Sequence, residues 1–262
     1  MINELTPIEN HGNLYFKRDD MFSVCGVKGG KARSAFSIIR NALIGNSLSN
    51  ISTSFVTAGS RMSPQCEIVS EICESFGVHC HLFMPRGKDT SVTINIGKNE
   101  FSTIHRTKVG YNSVLLHDAK NFAKENNYYY IPFGMECIDN IEVTKHQVKN
   151  IPQKVKRIVV PCGSGMSMIS IIKGLQYYNR NDIEVVGVVV GKDPHKTFER
   201  FLKNDLFSYT NIKYSFEYSV YKYDQVPKEL TICGIELDPV YESKCIPFLR
   251  DNDLLWIVGH RL

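Results

Sequence analysis

No stretch of this sequence approaches the roughly 20 consecutive apolar residues that a bilayer-spanning helix needs, so these residues offer no candidate for one. The opening MINELTPIENHG lacks a basic stretch followed by an apolar one. No signal peptide is therefore expected, and the cytosol is the expected compartment. No CxxC pair accompanies the eight cysteines, although Cys66, Cys73 and Cys80 fall at seven-residue steps. Without ligand spacing these read as buried, reduced thiols, neither a disulfide framework nor a metal site. Internal repeats, low-complexity tracts and long Gly/Ser linkers are missing as well. So is a strong charge bias: 31 Lys and Arg against 27 Asp and Glu leave a net +4. That is compatible with an anionic ligand and permissive for nucleic acid, but weaker than a dedicated DNA-binding domain usually shows.

What is present is an ordinary globular composition, 43% hydrophobic and 22% charged over 262 residues, enough for a sizeable core in one large domain or two lobes. Strand-like and helix-like segments alternate. LYFKR (14–18), ISTSFVT (51–57), VHCHLFMP, FSTIHRT, YYYIPF, RIVVPC, EVVGVVVG and LLWIVG read as strands. KARSAFSIIRNAL, PQCEIVSEICESFG and NSVLLHDAKNFAKENN read as helices, with Pro64 suited to a first turn and Gly77 to an end. Strand after helix after strand, with near-continuous apolar strands, predicts a parallel α/β architecture. The 206–230 stretch is the least patterned and reads equally as strands or as a loop. The YYY at 128–130 reads as strand packing, and His105, His117 and His146 as surface or structural histidines.

In such sheets ligands gather at the carboxyl ends of strands. The loops there are TAGSRMSPQ, FGMEC and PCGSGMS. The strongest local signal is RIVVPCGSGMSMISIIKGL, an apolar strand running through Gly163, Ser164 and Gly165 into an apolar helix. Glycines allow close backbone approach to an anion, and a helix N-terminus offers unpaired N–H groups. The dinucleotide GxGxxG pattern fails at Met168, and no Walker A lysine is present. By itself the segment reads as a tight turn or as a phosphate cradle. Lys31, after Gly29 and Gly30, reads by itself as a solvated charge, or as a nucleophile if burial or the cations Lys28 and Arg33 lower its pKa.

The order of these pieces resembles the fold-type II pyridoxal-phosphate-dependent enzymes (tryptophan synthase beta-like), and within them the aminocyclopropane-carboxylate deaminase and D-cysteine desulfhydrase group. The resemblance runs from about Leu14 to Val258. LYFKRDDMF…GGKAR is similar to the group's lysine motif, VTAGSRMS to its TxGxxxSNH loop, VVPCGSGMS to its GSGGT phosphate loop, and LDPVYESK to DPVYEGK. The resemblance implies two open, twisted, mostly parallel sheets flanked by helices. Residues 1–44 and 129–262 would form the large pyridoxal-phosphate-binding domain, and 45–128 a small α/β domain.

It further implies pyridoxal 5'-phosphate carried as a Schiff base by Lys31. Gly163, Ser164, Gly165 and Ser167, with the backbone of Met166, would hold its phosphate. Ser63 would sit over a substrate carboxylate or assist proton transfer, Tyr241 would lie beside the cofactor, and Glu242 would face the pyridine nitrogen. A carboxylate there keeps that nitrogen protonated and strengthens the electron sink. The chain departs from the group at Pro64 and Gln65, where Asn-His is usual, and at Gly30, where asparagine is usual. It is also short for the group, and FGMECIDN matches only loosely.

The expected function is a lyase-like or deaminase-like enzyme acting on the amine of a small amino-acid-like substrate, as a homodimer. A second reading is a decarboxylase or lyase acting on an amino acid attached to a modified DNA base, motivated by the altered loop and the positive balance. A third is a non-catalytic protein that binds the cofactor; retention of Lys31, Ser63, Tyr241 and Glu242 together argues against it.

Overall fold

The computed structural model describes residues 4–46, 54–108, 112–191, 193–203 and 211–259. Among these, one compact unit takes in residues 4–22, 28–30 and those from 138 onward, and a second takes in 23–27 and 31–137.

The first unit is built on a six-stranded sheet in the order Ile8–His11, Leu14–Arg18, Leu254–Ile257, Arg157–Cys162, Glu184–Val189, Tyr214–Tyr218. The first two strands form an antiparallel hairpin that turns at Gly12, where φ is +66°, and all later neighbours are parallel. Both faces of this sheet are covered. Ile158, Val160 and Cys162 enter one core with Ile169 and Ile172 of the Met166–Tyr177 helix, whereas Val159 joins Leu255 and Ile257 in the other. A period of two with both faces buried is what makes these strands read as continuous apolar runs.

The second unit holds a four-stranded parallel sheet in the order Ser102–Thr107, Cys80–Pro85, Phe55–Ala58, Tyr129–Tyr130. The helix Asn112–Glu125 packs Leu115, Ala119 and Ala123, one apolar stripe, against Val56, Ala58 and Phe83. Tyr128 and Tyr130 pack on the same cluster, the strand-packing role expected of the YYY run. The helix Pro64–Ser75 starts with Pro64 at a position whose N–H would go unused and is followed by Gly77 at φ +65°.

Two mostly parallel sheets flanked by helices match the expected fold class. The 128–132 strand is shorter than expected. Ile131 N–H still donates to the Val56 carbonyl (2.8 Å), but Pro132 has no N–H to continue the ladder. In the 206–230 stretch, Tyr214–Tyr218 is an edge strand and 219–230 a loop, while 206–210 lie outside the described residues, as do 51–53. All eight cysteines are free thiols, with Cys66, Cys73 and Cys80 buried. No helix among the described residues is long and apolar enough to cross a membrane.

Candidate active site

In the first unit the Arg157–Cys162 strand runs through Gly163 and Ser164 to Gly165, the N-cap of the Met166–Tyr177 helix. Gly165 has φ +90° and offers no side chain to cap the helix. The first amides of that helix therefore face outward with the positive end of its dipole. A Cβ at Gly165 would stand 2.8 Å from the Phe198 ring, and one at Gly163 would stand 3.1 Å from the Tyr241 ring. Gly165 needs glycine for space and for backbone geometry, while at Gly163 a side chain would press the Tyr241 ring back by a few tenths of an ångström. Ser164 and Ser167 flank the turn, both half-buried.

Tyr241 is brought there by Asp238, whose Oδ1 accepts the N–H groups of Val240 (2.8 Å) and Tyr241 (2.9 Å). This aspartate turn leads into the short 3-10 helix Glu242–Phe248. Glu242 is buried. Its Oε1 accepts N–H groups from Val258 (2.8 Å) and Gly259 (3.3 Å), while Oε2 has no hydrogen-bond partner among the described residues. Burial, reinforced by the Asp238 charge, pushes this carboxyl up to about 8 against the pull of its backbone donors. The Val258 carbonyl accepts the N–H of Gly30 (2.8 Å), so one short segment joins Glu242 to the residue that precedes Lys31 in the chain. A Cβ at Gly30 would lie 2.8 Å from the carboxylate of buried Asp19.

In the second unit Lys31 is the second residue of the helix Gly30–Asn46 and is half-buried. Burial raises the Cys66 thiol, and the Lys31 charge pulls against that rise. Of its expected cationic neighbours in sequence, Lys28 is exposed and Arg33 fully buried. Ser63 is the N-cap of the Pro64–Ser75 helix, and its Oγ accepts the Gln65 N–H at 3.3 Å. Gly59 makes room for both neighbours, since a Cβ there would lie 2.8 Å from Cys66 Sγ and 3.0 Å from Ser63 Cβ.

Gln65, read from sequence only as a departure, is buried and knits this loop together. Its Nε2 donates to Thr57 Oγ1 and to the Pro132 carbonyl, both at 2.9 Å, and its Oε1 accepts the Gly134 N–H at 2.9 Å. Gly134 and Met135 both take positive φ, +68° and +53°. Sequence reasoning also passed over Tyr223, whose phenol oxygen lies 3.4 Å from that of Tyr241. Only its place in a tyrosine-rich stretch could have drawn notice. The structure thus groups Gly163, Tyr241 and Glu242 in one unit, and Lys31, Cys66 and Ser63 in the other. His105, His117 and His146 make local bonds to His81, Asn121 and Tyr178, consistent with structural roles.

The family described as pyridoxal-phosphate dependent enzyme matches residues 2–212. A 1-aminocyclopropane-1-carboxylate deaminase from Cyberlindnera saturnus is 25% identical over 273 residues, covering 88% of this chain and 78% of that protein. Among solved structures, an ACC deaminase homologue is similar with a TM-score of 0.78 at 21% identity, over 98% of this chain and 89% of that one. Threonine deaminase isoform 2 from Solanum lycopersicum gives 0.68 at 14% identity, over 98% and 84%. Maize serine racemase gives 0.65 at 13%, over 98% and 88%. At such identities the solved structures speak for the fold, and the family match speaks for descent. Matched over most of its length, the chain belongs to the pyridoxal-phosphate dependent enzymes, alongside deaminase-like and lyase-like members.

Proposed function

We propose that the enzyme acts on the amine of a free amino acid, by deamination or elimination, with Lys31 as the amine that carries the cofactor. The observation that carries this reading is Glu242. A buried carboxyl with one oxygen on two backbone N–H groups and the other unmatched among the described residues is costly by itself. A protonated ring nitrogen at Oε2 would satisfy it. The turn at Gly163–Ser167 supports the same ligand from its other end, because a side chain is excluded at 165 and crowded at 163, and the helix N-terminus there has no side-chain cap.

Bound pyridoxal phosphate supplies an electron sink for charge that develops next to the substrate amine. The backbone of Met166 and the hydroxyls of Ser164 and Ser167 would hold its phosphate, with Gly163 and Gly165 giving access. Tyr241 would orient the ring, and Glu242 would hold a proton at the pyridine nitrogen. The Lys31 amine would carry the group and, when free, would move a proton at the substrate's α- or β-carbon. Ser63 binds the substrate carboxylate or assists that proton. Decarboxylation draws on the same sink, so product analysis separates the reactions: ammonia and a keto acid report deamination or elimination, and carbon dioxide reports decarboxylation. The active form is taken to be a cytosolic homodimer, which sedimentation at micromolar protein checks for the dimer.

The test is optical. Protein purified with pyridoxal phosphate should absorb in the visible, and Lys31→Ala should abolish the band while leaving the fold intact by circular dichroism. A wild-type protein without the band would sink the assignment of Lys31. Mixing with free amino acids, 1-aminocyclopropane-1-carboxylate and serine among them, should then shift the band for the true substrate class.

A further inference from the structure

Lys244 has a fully buried side chain, a rare place for a lysine. A buried ammonium is tolerated only when hydrogen bonds replace its water. Here Nζ donates to the carbonyl oxygens of Lys222 (2.6 Å) and Tyr223 (3.1 Å), two consecutive peptides of the 219–230 loop. The side chains of residues 222–226 are exposed. Several of the loop's other bonds close on the loop itself: Tyr221 N–H to Ser219 Oγ, Lys222 N–H to Gln225 Oε1, and Gln225 N–H to the Lys222 carbonyl. Lys244 therefore ties the middle of an exposed loop to the 3-10 helix that begins with Glu242.

What the tie delivers is Tyr223. Its ring stands nearly perpendicular to that of Tyr241, at 80° with centroids 6.0 Å apart, and the two phenol oxygens are 3.4 Å apart. Each ring is seated on a glycine just beyond a strand. A Cβ at Gly163 would lie 3.1 Å from the Tyr241 ring, and a Cβ at Gly191, where φ is +88°, would lie 3.1 Å from the Tyr223 ring. We propose that Lys244 is a positioning residue: by clamping two loop carbonyls it sets Tyr223 against Tyr241 beside the Gly163–Ser167 turn, so that the two phenols serve the cofactor as one unit. The part played by the cofactor rests on the functional reading above; the clamp itself does not.

Lys244→Met keeps the stem and removes the donors. In the cofactor-free protein, hydrogen exchange followed by mass spectrometry should show the 219–226 amides exchanging at least about tenfold faster, with the Glu184–Val189 strand unchanged. Lys244→Arg, which can donate to both carbonyls, should restore most of the protection. In titrations with pyridoxal phosphate, K244M and Tyr223→Phe should each weaken binding roughly tenfold, and the double variant no more than either alone. Unaltered exchange in K244M overturns the clamp. Additive losses, or an unchanged affinity in Y223F, overturn the paired role. If K244M does not fold, Y223F and K244R carry the same comparisons. A wild-type protein that binds no pyridoxal phosphate defeats the functional reading, and the exchange arm still decides the clamp.

Discussion

Glu242 in the first unit has one buried carboxyl oxygen unmatched among the described residues, whereas Gln65 in the second has both amide donors and its oxygen engaged with Thr57, Pro132 and Gly134. The same contrast runs through their surroundings. The Met166–Tyr177 helix begins uncapped on a left-handed glycine, while the Pro64–Ser75 helix begins with a serine cap and a proline that needs no partner. Around Glu242 polar groups stand poised for a ligand, whereas around Gln65 they close on one another. A finished network holds its loop rigidly without a ligand, so the loop that Gln65 knits together should be indifferent to cofactor where the segment around Glu242 is not.

Gly165→Val tests the open side most severely. It forces a β-branched residue to φ +90° and into the Phe198 ring, in the turn assigned to the phosphate. Affinity for pyridoxal phosphate should fall on the order of a hundredfold, with about 2–4 kcal/mol lost from stability. Gly12→Ala, a left-handed glycine with open space around it, should cost only about 1 kcal/mol and leave affinity unchanged. Equal effects at both sites would remove the cradle argument.

Gln65→Leu tests the closed side. It strands the Gly134 N–H and the Pro132 carbonyl, and urea unfolding should show about 2–3 kcal/mol of destabilisation whether or not cofactor is present. A loss seen only in the loaded protein would reverse the contrast drawn here.

Smaller effects come from pH. The Glu242 carboxyl rises from 4.5 to about 8 in the folded, cofactor-free protein, so between those values the folded state holds a proton that the unfolded chain has released. Stability from this group is present below about pH 4.5 and is lost as pH climbs toward 8, with a slope of at most about 1.4 kcal/mol per pH unit. Glu242→Gln should flatten that limb in melting-temperature scans. The smallest effect belongs to the second unit. His81 and His105, mutually bonded at 3.1 Å and stacked on Tyr128 and Phe83, are both lowered, His81 by burial and by its histidine neighbours and His105 by burial. Their contribution is complete above 6.5 and fades as pH falls below it, so His81→Phe should soften acid loss while leaving the alkaline limb alone.

Much of the fold was legible because burial on both faces writes a strand as an unbroken apolar run, as in Val159 flanked by Ile158 and Val160. Helix starts were legible where local chemistry settles them, as at Pro64. The Ile8–His11 strand was not, because an edge hairpin with half-exposed residues has no apolar run to show. Glu242 was reached through a motif, whereas its orphaned oxygen depends on where residues 258 and 259 fold back. Tyr223, Lys244 and Gln65 were invisible for one shared reason. Each acts through partners distant in sequence, and a buried polar side chain such as that of Lys244 or Gln65 looks like a surface one until its partners are known.

Gly30 carries a lesson for exchanging parts between relatives. An asparagine placed before Lys31, the usual wording of the resembled group, would put its Cβ 2.8 Å from the Asp19 carboxylate and 3.4 Å from the Val258 carbonyl. The Val258 carbonyl is at ordinary contact distance, so the Asp19 carboxylate is the group that must move aside, and an asparagine grafted at residue 30 should fold around the lysine only as readily as Asp19 can give way.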